Sequence, residues 1–67
     1  MNVAKIMEIT AESPEGFEDA VRRGLARAAK TVDHIESAWI KDQKVVMKNG
    51  KIGAYRVHMK LTFLLRE

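Results

Sequence analysis

From Tyr55 onward the chain alternates. Tyr55, Val57, Met59, Leu61, Phe63 and Leu65 are apolar or aromatic, and Arg56, His58, Lys60, Thr62 and Arg66 between them are polar. Strict period-two alternation over this length belongs to a β-strand with one face in a core and the other in water. Just upstream, Asn49-Gly50 is a preferred pair for a two-residue hairpin turn, because both central positions of a type I′ turn need positive φ. Residues 37–48 are then the partner strand, and the C-terminal half of the chain is a hairpin.

The N-terminal half reads as a strand followed by a helix. Residues 2–11 mix Val, Ile and Met with polar positions, which suits a short strand. Ser13-Pro14 marks a helix start, with Ser13 as the capping side chain and Pro14 at the first helical position. Phe17, Ala20, Val21, Leu25, Ala28 and Val32 recur at three- and four-residue spacings, which predicts a helix over residues 14–32 with one apolar stripe. Glu15, Glu18 and Asp19 suit its N-terminal dipole, and Arg27 and Lys30 its other end. Gly24 lies beside that stripe at a cost of up to about 1 kcal/mol in helix propensity, which predicts close packing against a strand or a neighbouring subunit. The element order is β-α-β-β, an α+β chain read as a single domain over residues 1–67.

Size then limits what this domain can do alone. A chain of 67 residues and 7.6 kDa folds to roughly 4,300 Å² of surface from about 11,000 Å² unfolded. It has no cysteine, so disulfides, thiolate zinc sites and thiol nucleophiles are excluded. A helix of about 19 residues is roughly 28 Å long, against about 40 to 50 Å for the hairpin strands. The apolar row of the last strand therefore overhangs the helix, and the expected cover is another copy of the chain. A multi-domain enzyme is excluded. The net charge of +3 comes from dispersed, interleaved groups without a polybasic run, which argues against a nucleic-acid partner. No apolar stretch approaches the roughly 20 residues that span a bilayer, and no secretory signal is evident. The expectation is a cytoplasmic protein without a membrane or nucleic-acid partner.

What the second face of the hairpin carries depends on register. With Asn49 and Gly50 as the turn, opposed positions sum to 99. Lys60 then faces Trp39, His58 faces Lys41, Arg56 faces Gln43 and Thr62 faces Ser37. Trp39 would lie on the polar face, a stacking platform among cations and amides. A bulge at the turn shifts the sum by one and makes Trp39 a core or interface anchor beside Leu61. His34 and His58 read as solvated or structural histidines, and Met7, Met47 and Met59 as strand packing. The acids Glu12, Glu15, Glu18 and Asp19 read as helix-start charge. Ser13 has no adjacent base to make it a nucleophile, and no P-loop, dinucleotide or metal motif is present. No catalytic constellation supports an enzyme.

Two segments, KIMEITAESPEGFEDAVRRGLARAAKTVDHI and GKIGAYRVHMKLTFLL, resemble the dodecin family in their order, spacing and total length. The resemblance implies an α+β fold, a β-α-β-β subunit whose three-stranded antiparallel sheet wraps the one helix, twelve of which close into a hollow homododecamer. It also implies a non-enzymatic role, binding riboflavin or FMN to store them and quench their photoreactivity. Flavin-binding dodecins stack the ring on a tryptophan early in the second strand; that position is Ser37 here, with Trp39 two residues on. They place a glutamine after the last strand's aromatic, where this chain has Arg56 after Tyr55. Lys44 falls where some members carry an arginine for the FMN phosphate, and Asp42 and Gln43 in a stretch bordering the pocket. Family members without that tryptophan and with arginine after the tyrosine resemble a separate branch, some described as calcium-binding shells. The implied cofactor-binding set is Ser37, Trp39, Asp42, Gln43, Lys44 and Arg56, with FMN, riboflavin or calcium as the implied ligand.

Overall fold

The computed structural model describes residues 3–65; Arg66, the end of the alternating run, lies outside the described residues. Strand β1 (Val3–Ser13) leads into helix α1 (Phe17–Ala28), followed by β2 (Ile35–Lys48) and β3 (Lys51–Leu65). The strands form one antiparallel sheet in the order β1-β3-β2, so the last strand in sequence is central in space. The β-α-β-β order is the one the periodicities predict.

Both ends of the helix differ from the sequence expectation. The first strand runs on through Ser13, and α1 begins only at Phe17, with Gly16 preceding it and no side-chain cap. Ser13 is fully buried, and its hydroxyl is engaged on both sides. It accepts from the Glu15 backbone N–H at 3.0 Å and donates to the Asp19 carboxylate. Bonding to a backbone N–H two residues on turns the chain locally, so the serine makes the corner instead of capping the helix. The Ser13 hydroxyl, followed by the charge of Arg23, holds the Asp19 carboxyl below its ordinary 3.8. At the other end the helix stops at Ala28, and the Thr31 N–H and hydroxyl both donate to the Ala28 carbonyl, at 3.1 and 3.2 Å.

The hairpin turn is as expected, with Asn49 at φ 51° and Gly50 at φ 76°. The register is not uniform. Lys48 and Met47 pair with Lys51 and Ile52, but Val46 pairs with Ala54, which leaves Gly53 as a bulge on β3. A Cβ on Gly53 would lie 3.1 Å from Lys48 Cβ, a tight contact that favours a glycine at the bulge. A second shift at Lys41, on β2, restores the first register. Trp39 therefore faces Lys60 and Ser37 faces Thr62, as sums of 99 require. Between the bulges the alternative register, shifted by one, holds: His58 faces Asp42 instead of Lys41, and Arg56 faces Lys44 instead of Gln43.

One face of β3 carries the core. Val57, Met59 and Leu61 are fully buried beneath Ala20 and Ala28, with Met7, Ile9, Phe17, Val21 and Leu25 packed around them. Phe17 meets Tyr55 edge to face at 5.1 Å, which anchors the start of the helix over β3. Gly24 is the closest approach: a Cβ there would lie 2.8 Å from Met59 Cε and 2.9 Å from Ala11 Cβ. The expected reason for this glycine, contact with a strand, holds.

Apolar surface overhangs the helix as expected, at Leu65 on the β3 row and along the hairpin. The twelve-residue helix is about 18 Å long and lies on β1 and β3, in a molecule 51 Å along its longest axis. The apolar row of β3 is covered from Val57 to Leu61, while Ile40, Val45, Met47 and Ile52 on the hairpin are exposed. β1 ends opposite Tyr55, so beyond that point the hairpin is a bare two-stranded ribbon. The accessible surface is 4982 Å², well above the roughly 4,300 Å² of a self-contained monomer of this mass.

The contact at Gly24 yields a prediction. Met59 Cε can swing aside but Ala11 Cβ is fixed to its strand, so Gly24→Ala should cost about 1 kcal/mol net of its gain in helix propensity, and Gly24→Val about 3. Urea unfolding at fixed protein concentration measures both, and an unshifted midpoint for the valine variant would contradict so close a contact.

Candidate functional site

The other face of the sheet is a ladder of polar rows centred on β3. Reading across β1, β3 and β2, the rows are Glu12–Arg56–Lys44, Thr10–His58–Asp42, Glu8–Lys60–Trp39 and Ile6–Thr62–Ser37. Five of the six residues named from the sequence, Ser37, Trp39, Asp42, Lys44 and Arg56, share this face. Gln43 does not. It pairs with Val57, whose side chain is in the core, so the shifted register puts Gln43 on the helix side of the sheet.

Trp39 is exposed over 62% of its surface, although it is the largest side chain in the molecule. The ammonium of Lys60 lies over its ring, 5.6 Å from the centroid. The remaining charges on the face are mostly paired. Arg56 is bound to Glu12 across the sheet. Glu8 accepts from Lys41 Nζ at 3.2 Å and lies 3.4 Å from His58 Nε2, whose other ring nitrogen lies 3.1 Å from the Thr10 hydroxyl. A neutral His58 with its proton on Nε2 satisfies both neighbours, donating to Glu8 and accepting from Thr10. The hydrogen bonds from Lys41 and then His58 hold the Glu8 carboxyl below its ordinary 4.5. Four cations (Lys41, Lys44, Arg56, Lys60) against three carboxylates (Glu8, Glu12, Asp42) leave the face one positive charge in excess.

Such a face suits a flat, partly anionic ligand: a broad π-surface, cations beside it and hydroxyls along its edge. A divalent cation finds less, because no group of three His, Asp or Glu side chains among the described residues could hold one. A separate open groove of about 400 Å³ runs on the helix side, between β1 and α1, with Met7, Ile9, Gly24 and Arg27 in its walls. None of the six candidate binding residues lines it. No helix among the described residues is long and apolar enough to cross a membrane.

Sequence reasoning left Glu8, Thr10, Glu12 and Lys60 out of the site. Lys60 carried a signal, since the turn register already set it opposite Trp39. The β1 residues carried none: β1 reaches β3 through tertiary packing, with no turn between them to fix the register.

The comparisons with known proteins point one way. A model of the Dodecin family matches residues 3–66. The chain is 32% identical to a dodecin of Thermus thermophilus, over 97% of this chain and 94% of that one. It is 33% identical to a calcium dodecin of Mycobacterium tuberculosis, over 98% and 93% respectively. Among solved structures, a dodecin from Streptomyces davaonensis superposes with a TM-score of 0.94 at 29% identity, covering 98% of this chain and 97% of that one. The calcium dodecin of M. tuberculosis, described as calcium chelating with a novel calcium-binding site, superposes at 0.85 and 28%, covering 96% and 91%.

Glu8 supplies a test in acid. A carboxylate whose pKa is depressed by folding stabilises the fold above its ordinary value, and that contribution is lost as pH falls through the folded value. The thermal midpoint should therefore drop on acidification below about pH 4.5, and Glu8→Gln should flatten part of that drop. An acid limb identical in the variant would mean that the Lys41 and His58 contacts do not hold in solution.

Proposed function

The chain belongs to the dodecin family, and on that footing we propose that it is a non-enzymatic flavin-binding shell protein. Copies close into a hollow homododecamer in the cytoplasm that sequesters riboflavin or FMN for storage and protection. The observation that carries the reading is the exposed Trp39 ring on the cationic face of the sheet. The isoalloxazine ring stacks on Trp39. Ser37 and Thr62 border the ring, and Arg56, Asp42 and Lys44 line the track along which the flavin's side chain runs. Trp39 takes over the stacking role that flavin-binding dodecins give to the position of Ser37, displaced by roughly 7 Å along the strand.

Assembly follows from the uncovered surface. Ile40, Val45, Met47 and Ile52 are exposed in the single chain, and its accessible area exceeds that of a self-sufficient monomer. In a 7.6 kDa chain without cysteine, contact with further copies is the route left for covering them.

A second reading has its own support. The relative in M. tuberculosis is a calcium dodecin, and Arg56 follows Tyr55 as in the branch that sequence resemblance links to calcium. In that reading the shell holds calcium between copies, because among the described residues of one chain the carboxylates do not gather.

Titrating riboflavin and FMN with the protein should quench flavin emission at low micromolar concentration, and Trp39→Ala should weaken binding about tenfold or more. Unchanged flavin emission, together with heat evolved on adding calcium to chelator-treated protein, would favour the calcium shell. Sedimentation at micromolar concentration should show an assembly, and a lone 7.6 kDa particle would remove both readings.

A further inference from the structure

The Trp39 platform already has a neighbour. Lys60 has a carboxylate directly opposite it on β1, Glu8, yet Glu8 is taken by Lys41 and His58, and the Lys60 ammonium lies over the indole instead. Arg56 is likewise committed to Glu12. Among the described residues Lys60 forms no ion pair, and it stands beside the chain's one tryptophan. A π-cloud attracts an ammonium but does not satisfy its N–H donors, so these remain available to an oxygen anion. Lys44 also lacks a carboxylate partner among the described residues, but it lies beside Arg56, four residues along β3 from Lys60, or about 13 Å away. The charge next to the ring is that of Lys60.

We propose that Lys60 is the specificity-determining residue of the Trp39 site, selecting planar aromatic ligands that carry an anionic group over their neutral counterparts. The inference rests on the flavin reading of this face and deepens it. A flat ligand stacks on the open part of the indole, and its phosphate, carboxylate or ionised ring oxygen is met by the ammonium waiting at the ring. A neutral ligand gains the stacking alone and displaces a cation from an aromatic face without replacing that contact.

The test uses the assembled full-length protein and two readouts. Because Trp39 is the chain's single tryptophan, its emission reports on the site without any ligand. At constant ionic strength, quenching by iodide relative to neutral acrylamide should fall about twofold in Lys60→Gln and be kept in Lys60→Arg, since an unpaired cation concentrates anions locally. In the second arm the wild type should bind FMN about tenfold more tightly than riboflavin, and Lys60→Gln should bring that ratio near unity, with Lys60→Arg retaining it. An iodide-to-acrylamide ratio unchanged in Lys60→Gln would overturn the proposal, as would an FMN preference insensitive to it. Emission that neither agent quenches would overturn it too, marking Trp39 as an anchor between copies. If neither flavin binds, the flavin reading fails, and the iodide arm alone then decides whether Lys60 sets the charge at the ring.

Discussion

Strand β3 is hydrogen-bonded on both sides, and its alternation divides the molecule into two chemistries. Every second side chain, from Val57 through Met59 to Leu61, is driven under the helix by apolar burial. The residues between them, Arg56, His58, Lys60 and Thr62, are thereby committed to the opposite surface. A slip of one residue would exchange the two sets, placing three cationic or titratable groups in the core. The core thus fixes the site: the same contacts that bury Met59 beside Gly24 hold Lys60 up against Trp39.

Three register shifts interrupt the hairpin, and the two at Gly53 and Lys41 refine that division. Had Gly53 bulged alone, every pair from Val46 to Ile35 would have shifted, and Trp39 would have turned inward beside Leu61. The compensating bulge at Lys41 confines the shift to the stretch between them. Lys44 is brought round to stand beside Arg56, Gln43 is turned away, and Trp39 stays on the wet face. Displacing Lys41 from the regular ladder also leaves its ammonium on Glu8, which frees Lys60 for the indole.

How much of this was legible in the sequence follows from what is encoded locally. The turn at Asn49-Gly50, the alternation of β3, the helix stripe and the tight spot at Gly24 each rest on a few neighbouring residues, and each could be read. Trp39 opposite Lys60 was one of the two registers that counting outward from the turn allowed. A bulge near the turn was among the sequence alternatives, but the compensating one at Lys41 was not, because two opposite one-residue shifts cancel beyond it and leave no net trace at Trp39. Gly53, a glycine inside a strand, was the one local hint. Ser13-Pro14 looked like a helix cap because the residue types suit one; the buried contact to Asp19 that makes it a corner involves a side chain six residues away. The share of the site that β1 supplies depended on pairing over more than forty residues of intervening chain, beyond the reach of any local pattern.

The central place of β3 also governs how the molecule can be made. It is the last element along the chain, yet β1 and β2 are both zipped to it and neither touches the other as a ladder. While the polypeptide is being synthesised, the first strand, the helix and the second strand have no sheet to join until this closing segment emerges. The sheet therefore cannot form until β3 is available, and two sticky strand edges must be kept apart until then. The polar residues that crowd β2, from Lys41 to Lys44, keep that strand soluble before it has a partner strand to meet.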